Sequence, residues 1–445
     1  MRKLIQISII CIIIQLLSFK VIYAQTKDSL WTLKKCIDYA LNKNLDIKKA
    51  DYTAEKNMIS TDQVKANRFP VANASISQNF GWNKTPGLNN QYSDYTGLNS
   101  TNYGVNSSMT VFNGNKIKYT INQSELVYQA SKFDSETLKE SVSLSILDAF
   151  LQVLYAEESV KNNEKQVETS REQLRLSQER MNLGSASKSD YLQVKSQLAT
   201  EKLTLAQSES QLAINRVTLM QLMEIPVYNN FSINSPDLNA AIKRDVKPIV
   251  DSIYNTALNI KPQIKSVNLA LQSAQLGVNI AKANRLPLIS LNGGISTGYS
   301  SSNKSDYSTQ FTNGIYPQLG MTLSVPIYQN KLIRSNIETS KLDVQIKEVN
   351  VNYTKNQLRK SIEQVCVDVN SAEKEFEASR EQYDASLESY QVAAEKYNQG
   401  MLNSADFLIQ KTNLIIAESK LLQSKYNLIF TYKKLDFYTG IPLTL

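Results

Sequence analysis

Two short stretches repeat a glycine, a polar side chain and a carboxylate at the same intervals: Gly184, Ser187 and Asp190, then Gly400, Asn403 and Asp406. Glycine tolerates the left-handed backbone that ends a helix. A serine or asparagine three residues on suits the N-cap of the next helix, and an aspartate three further suits its capping box. The chemistry on offer is that of a tight turn between two helices. The aspartates carry a second option, because in a symmetric oligomer either would recur around the axis as a ring of negative charge.

Other chemistry is sparse. None of the 445 residues is histidine, which removes the commonest general base and the commonest metal ligand. There is no P-loop, no nucleophile elbow and no clustered carboxylate pair. The sequence therefore offers no catalytic constellation and implies no cofactor or metal. Cys36 and Cys366 either pair in an oxidising compartment or are small, partly buried side chains. Two cysteines make no disulfide framework, which favours the second reading.

The first residues read as a secretory signal. Arg2 and Lys3 precede an apolar run from Leu4 to Leu17, and Ala24 offers a small residue for cleavage. The run is short for a membrane helix, so a retained anchor is the lesser alternative to a signal peptide over 1–24. Cys11 lies inside the run and no cysteine follows the cleavage point, so a lipid-anchored N-terminus is not indicated. Cleavage would remove three of 49 basic residues and none of 41 acidic ones, taking the net charge from +8 to +5. With no Lys/Arg block, nothing points to nucleic acid. No other long apolar run exists, so any membrane crossing must be a β-barrel.

The elements that must hold these turns come from an internal duplication. Lys65-Ala66-Asn67-Arg68-Phe69-Pro70 recurs as Lys282-Ala283-Asn284-Arg285-Leu286-Pro287, and Ala40-Leu41-Asn42 recurs at the same offset as Ala257-Leu258-Asn259. Glu179 to Gly184 is echoed by Glu395 to Gly400, Asp190 to Leu192 by Asp406 to Leu408, and Ile225-Pro226 by Ile441-Pro442. The expected organisation is a first repeat over 25–226 and a second over 250–445, joined by a linker over 227–249. The first holds a helix, a β-hairpin (70–112), a long helix (115–182) and a return helix (187–223). The second holds a helix, a β-hairpin (287–328), a long helix (331–398) and a return helix (403–438).

The long helices rest on heptads. Ile146, Val153, Val160, Val167, Leu174 and Met181 are seven apart, and Ile362, Val369, Phe376, Tyr383, Tyr390 and Tyr397 repeat them. A stripe of small residues runs beside each: Ala149, Ala156, Asn163, Ser170 and Ser177, then Val365, Ala372, Ser379, Ser386 and Ala393. Paired stripes at this spacing describe a left-handed coiled-coil seam. At about 1.5 Å per residue, 67 residues span roughly 100 Å, a rod rather than a globule. The return helices carry Tyr191, Leu198, Leu205, Leu212 and Leu219 beside Leu192, Ala199, Ala206, Ala213 and Met220. Their second copy has Phe407, Leu414, Leu421, Leu428 and Leu435 beside Leu408, Ile415, Leu422 and Ile429. Each return helix, like the helix near 32–67, is half the length of the long one, so two half-length helices should pack along one long helix.

Between the helices the period changes to two. Ala72, Ala74, Ile76, Phe80 and Trp82 alternate with Asn and Ser, as do Tyr103, Val105, Met109 and Val111. Ile289, Leu291, Ile295 and Tyr299, and Leu319, Met321, Leu323 and Val325, repeat the pattern. Segments of about 9–13 residues with one apolar and one polar face fit tilted transmembrane strands, and taken alone they equally fit a half-buried hairpin. The signal and the rods favour the membrane. Trp82, Tyr299 and Tyr316 are candidates for an interfacial aromatic belt, and loops 84–98 and 301–314 are polar. Four strands cannot close a barrel, eight give a filled one, and twelve leave a lumen. The fold class expected is an α+β membrane protein: a long antiparallel coiled-coil barrel of helices plus a transmembrane β-barrel with four strands per protomer and twelve in a trimer.

This order, duplicated, resembles the TolC family of outer-membrane efflux and secretion channels. The resemblance spans nearly all of the chain after residue 24. It is carried by the opening helix Trp31 to Leu41, by Pro70 and Pro287 before the strands, and by Val111-Phe112-Asn113-Gly114 and Val325-Pro326-Ile327-Tyr328 before the long helices. The turns Gly184 to Leu192 and Gly400 to Leu408 complete it. Cys36, Asn113 and Gln329 depart from the residues common there. The resemblance implies a homotrimer in the outer membrane that reaches into the periplasm and meets a periplasmic adaptor (membrane fusion protein) and an inner-membrane pump. It implies a passive conduit for small molecules or proteins, not an enzyme, with the tips at Gly184, Ser187, Asp190, Gly400, Asn403 and Asp406 as adaptor contacts. The competing reading is a secreted periplasmic coiled-coil spacer without a pore.

Overall fold

The computed structural model describes residues 30–84, 95–226, 231–236, 238, 242 and 248–445. The signal segment 1–24, much of the linker and most of loop 84–98 lie outside the described residues. The elements, in chain order, are α1 (Leu33–Lys43), α2 (Leu45–Ala66), β1 (Val71–Asn83), β2 (Thr96–Phe112), α3 (Lys116–Asn182) and α4 (Lys188–Leu222). The second copy supplies α5 (Val250–Ile260), α6 (Pro262–Ala283), β3 (Leu288–Ser300), α7 (Tyr307–Asn313), β4 (Tyr316–Ser324), α8 (Leu332–Asn398) and α9 (Ser404–Thr439).

The helix expected near 32–67 is two helices, and the break has a local cause. The Asn44 N–H still bonds Ala40 O at 2.8 Å, while its side-chain oxygen accepts from the N–H groups of Asp46 and Ile47 at 3.0 and 3.2 Å. Asn44 ends one helix and caps the next. The second copy breaks at the equivalent place by another route. Pro262 occupies the first helical position of α6 and holds Lys261 extended before it.

α3 and α8 are each a single helix of 67 residues. α2 lies along the strand-proximal half of α3, and α4 returns along the other half. The main core sits at their meeting point. Ile146, Phe150, Val153 and Leu154 of α3 pack there with Cys36 and Ala40 of α1, Leu219 and Met220 of α4 and Ile429 of α9. A second core joins Ile362, Cys366 and Val369 of α8 to Ala257 of α5 and Tyr432 of α9. The two cysteines are free, buried, and in different cores.

The small heptad stripe of α3 is buried along its whole length, Ala149 to Ser177, as close helix approach requires. The second stripe of α4 differs from expectation: Leu192, Ala199, Ala206 and Ala213 are exposed. α4 packs chiefly on α3, whereas α9 packs on both α8 and α3, so Leu422 and Ile429 are covered and the α4 alanines are not.

The four strands form one antiparallel sheet in the order β1-β2-β3-β4. Val71 lies opposite Ser108, Ser100 opposite Ser300, and Leu288 opposite Ser324, with one irregularity between Thr110 and Phe112. β4 is shorter than β3. The helix α7, unforeseen in the polar loop 301–314, fills the difference. Asp306 caps it by accepting from Thr309 N at 3.1 Å. Gln310 then supplies the hydrogen bonds a strand would have made, accepting from Ser300 N at 2.9 Å and donating to Ser300 O at 3.2 Å. No helix among the described residues is long and apolar enough to cross a membrane.

Candidate channel wall and helical tip

The strand register sorts side chains onto two faces. Residues directly opposite in an antiparallel pair share a face. Val105 lies opposite Ala74 on one side and Ile295 on the other, and Leu291 lies opposite Met109 and Met321. The apolar parity of all four strands therefore falls on one face. Its large members stand exposed, among them Ile76, Val105, Ile295, Leu319 and Met321. The other face carries Asn73, Ser75, Asn106, Asn292, Gln318 and Thr322. No Asp, Glu, Lys or Arg occurs in any of the four strands.

Trp82, opposite Gly97, and Tyr299, opposite Thr101, lie on the apolar face. Tyr316 does not. It pairs with Ser296 and has the parity of Gln318, which places it on the polar face. The aromatic group that does assemble near the strand ends escapes a reading of the sequence because α7 does. Tyr103 and Phe311 rings meet edge-on at 5.5 Å, Tyr299 and Tyr307 rings meet tilted at 5.4 Å, and the Tyr103 and Tyr307 hydroxyls hydrogen bond at 2.8 Å.

At the far end of the rod, Gly184 and Gly400 have φ of +74° and +75°. The N–H beyond each returns into the helix, Ser185 N to Arg180 O and Met401 N to Lys396 O, both at 2.9 Å. This is the six-to-one closure that left-handed glycine permits. Ser187 Oγ accepts from Asp190 N at 3.0 Å while Asp190 Oδ2 accepts from Ser187 N at 3.2 Å, a complete capping box. Asn403 Oδ1 accepts from Asp406 N at 2.8 Å.

The two aspartates then part company. Asp190 also accepts from Ser404, a buried hydroxyl of the other hairpin that lies 2.7 Å from Gln193 Oε1. These hydroxyls, Ser187 first and Ser404 next, hold the Asp190 carboxyl below the usual range. Asp406 is exposed. Arg180, silent in the sequence, clamps the tips by donating to Tyr397 O at 2.9 Å and Asn398 O at 2.8 Å. Tyr397 in turn stacks on Phe407 at 4.6 Å.

Higher in the rod an ion pair is buried. Lys411 Nζ meets Glu201 Oε1 at 2.9 Å with both side chains almost wholly covered. Lys411 also donates to Ser170 Oγ and, at 3.1 Å, to Gln173 Oε1, while Gln197 donates to Glu201 at 2.9 Å. Burial pushes the Lys411 ammonium down, and Glu201 opposes the shift. Among the described residues, no three His, Cys, Asp or Glu side chains gather as a metal site.

A two-faced sheet at one end of a duplicated helical rod has a counterpart among known proteins. The sequence matches the outer membrane efflux protein family over residues 36–223 and again over 253–441. The chain belongs to that family. Solved relatives share its fold. The CmeC outer membrane channel of Campylobacter jejuni superimposes with a TM-score of 0.79 at 20% identity, over 92% of this chain and 85% of that one. The open state of the MtrE outer membrane channel of Neisseria gonorrhoeae gives 0.76 at 18%, over 93% and 90%. CusC, whose structures concern folding and transmembrane channel formation, gives 0.78 at 17%, over 93% and 95%. No curated protein matches the sequence. As an outer-membrane efflux channel protein, the chain sits in the outer membrane and extends into the periplasm.

Proposed function

We propose that this efflux protein acts as a homotrimeric passive duct, joined at its helical tips to a periplasmic adaptor and driven by an inner-membrane pump. The supporting observation is the sheet itself: apolar on one face, uncharged and polar on the other, with β1 and β4 as edges. Open edges are not tolerated in lipid, and four strands cannot close. Three copies give twelve strands, enough for a water-filled lumen lined by Asn, Ser, Thr and Gln. Trp82 and Tyr299 serve as interfacial aromatics on the lipid side. In this reading 1–24 is removed as a signal, and the repeats over 25–226 and 250–445 each give two strands and half the helical wall. A spacer has no use for a two-faced sheet.

At the tip, Gly184, Ser187 and Gly400 shape the turns and Asp190 ties the hairpins together. Exposed Asn403 and Asp406 are left to meet the adaptor. The duct carries out no chemistry of its own. Detergent-purified protein is expected to have the mass of three chains and to convert to monomer only on heating in SDS. A monodisperse single-chain species would overturn the reading.

A further inference from the structure

Charge collects where the sheet meets the rods. The stretches 63–70, 111–124, 274–287 and 325–337 adjoin the helix-side ends of the four strands. They hold Lys65, Arg68, Lys116, Lys118, Lys282, Arg285, Lys331 and Arg334 and no Asp or Glu. Helix physics explains some of these. Lys65 and Lys282 lie in the last turns of α2 and α6, where a cation complements the macrodipole. Lys116, Lys118 and Arg334 lie in the first turns of α3 and α8, where an acid is favoured and neither helix has one. Two of the eight have local partners. Lys65 stands 3.6 Å from Asp62 and 3.8 Å from Glu125, and Lys116 donates to Asn284 Oδ1 at 2.9 Å. Arg285, Lys331 and Arg334 are exposed and form no ion pair among the described residues. The next acid along the chain, Glu338, pairs with Lys341 at 3.0 Å.

Those three cations line one recess of about 260 Å³ between the end of α6 and the turn from β4 into α8. Much of its remaining wall is apolar. Ile327, Tyr328 and Leu332 stand 95%, 78% and 57% exposed there. Ile327 continues the parity of Leu319, Met321, Leu323 and Val325, so the recess lies where the apolar face of the sheet runs out. The first copy repeats the plan. Arg68 is the counterpart of Arg285, and Lys118 that of Arg334 at the offset that carries Glu179 to Glu395. Val111 and Phe112 are exposed beside them. Asn115 stands where the second copy has Lys331.

We infer that this recess binds the phosphate of an anionic phospholipid, of which phosphatidylglycerol is the simple example, with the acyl chains along Ile327 and Leu323. The inference rests on the apolar sheet face meeting lipid, as in the duct proposed above. A guanidinium suits phosphate because its planar fork donates two parallel hydrogen bonds. Three cations at the end of an apolar strip match a molecule that is anionic at one end and oily along the rest. A free phosphate would leave Ile327 and Tyr328 bare in water. Each basic side chain close to an anionic membrane surface is worth about fivefold in affinity, so the three together are worth about a hundredfold. The first-copy site lacks the third cation and is the weaker of the two.

Native mass spectrometry of the full-length protein in mild detergent, titrated with phosphatidylglycerol or phosphatidylcholine of the same acyl chains, reads both the oligomer and the lipid it keeps. The parent is expected to retain phosphatidylglycerol in preference to phosphatidylcholine. Arg285→Gln with Lys331→Gln and Arg334→Gln should weaken the tighter phase of that retention by about a hundredfold, with oligomer and Tm unchanged. Arg171→Gln with Arg175→Gln, on the exposed surface of the rod, should leave it as in the parent. Equal retention by the parent and the triple variant, or no preference for the anionic lipid, overturns the site. Inorganic phosphate held as tightly as the lipid overturns it too, since the recess is then a simple anion site. A triple variant that falls to single chains, with no lipid on the parent, assigns the recess to a neighbouring copy and also overturns the proposal. A trimer without the preference leaves the duct reading standing. A single-chain parent that keeps the preference overturns the duct and not the site.

Discussion

Lys411 and Glu201 are opposite charges that are almost wholly buried; Ser170, Gln173 and Gln197 supply further hydrogen bonds, while Glu201 Oε2 has no hydrogen-bond partner among the described residues. Removing one partner leaves the other charge stranded. Glu201→Ala is therefore expected to lower stability by about 3–5 kcal/mol, whereas the double change Glu201→Leu with Lys411→Met should cost far less, read from denaturant unfolding. Asp190 is the pH-sensitive residue of the tip. Its carboxyl is held below the ordinary value by Ser187 and then Ser404, so on acidification the unfolded chain takes up the proton first. Its contribution is complete above the unfolded value, about 3.9, and is lost as pH falls through the lower folded value. The gap in Tm between the parent and Asp190→Asn should accordingly shrink between about pH 5 and about pH 3. The thiols behave oppositely. Burial pushes Cys36 up to about 12 and raises Cys366 as well. Iodoacetamide should modify neither in the folded protein and both in denaturant, measured by mass.

At the scale of elements, turns and caps decide where the rods begin and end. Gly114 has a φ of +65°, and a Cβ there would stand 2.6 Å from Leu286 Cδ1. Gly114→Ala should destabilise by about 1–3 kcal/mol through backbone strain alone, and more from the displaced leucine, again by unfolding. The tip glycines, the caps and the heptads are legible in the sequence because each depends on residues within one turn or one repeat. The strand faces are legible because parity survives pairing. What escapes depends on competition between elements. The run through Asn44 keeps helical periodicity on both sides, so nothing local announces that its side chain caps a new helix. The polar segment 301–314 conceals α7, whose stability comes from Gln310 reaching back to Ser300 and from rings on β2 and β3. The alanine stripe of α4 has the spacing of a seam inside the chain, yet it stands exposed, uncovered by any described element. Within the candidate tip, Gly184, Ser187 and Asp190 can be named from spacing. Arg180 and Ser404 cannot, because the partner of each lies in the other copy of the repeat.

The whole molecule is a protomer whose exposed surfaces make sense only in a ring. The sheet has two edges, α2 and α8 have uncovered apolar faces, and the polar face of the strands is uncharged. In the proposed duct, the choice of cargo passes to whatever loads its periplasmic end. The most direct test is single-channel recording of the purified trimer in a planar bilayer. Discrete, ohmic conductance steps are predicted. A well-folded trimer that inserts and passes no current would contradict the account.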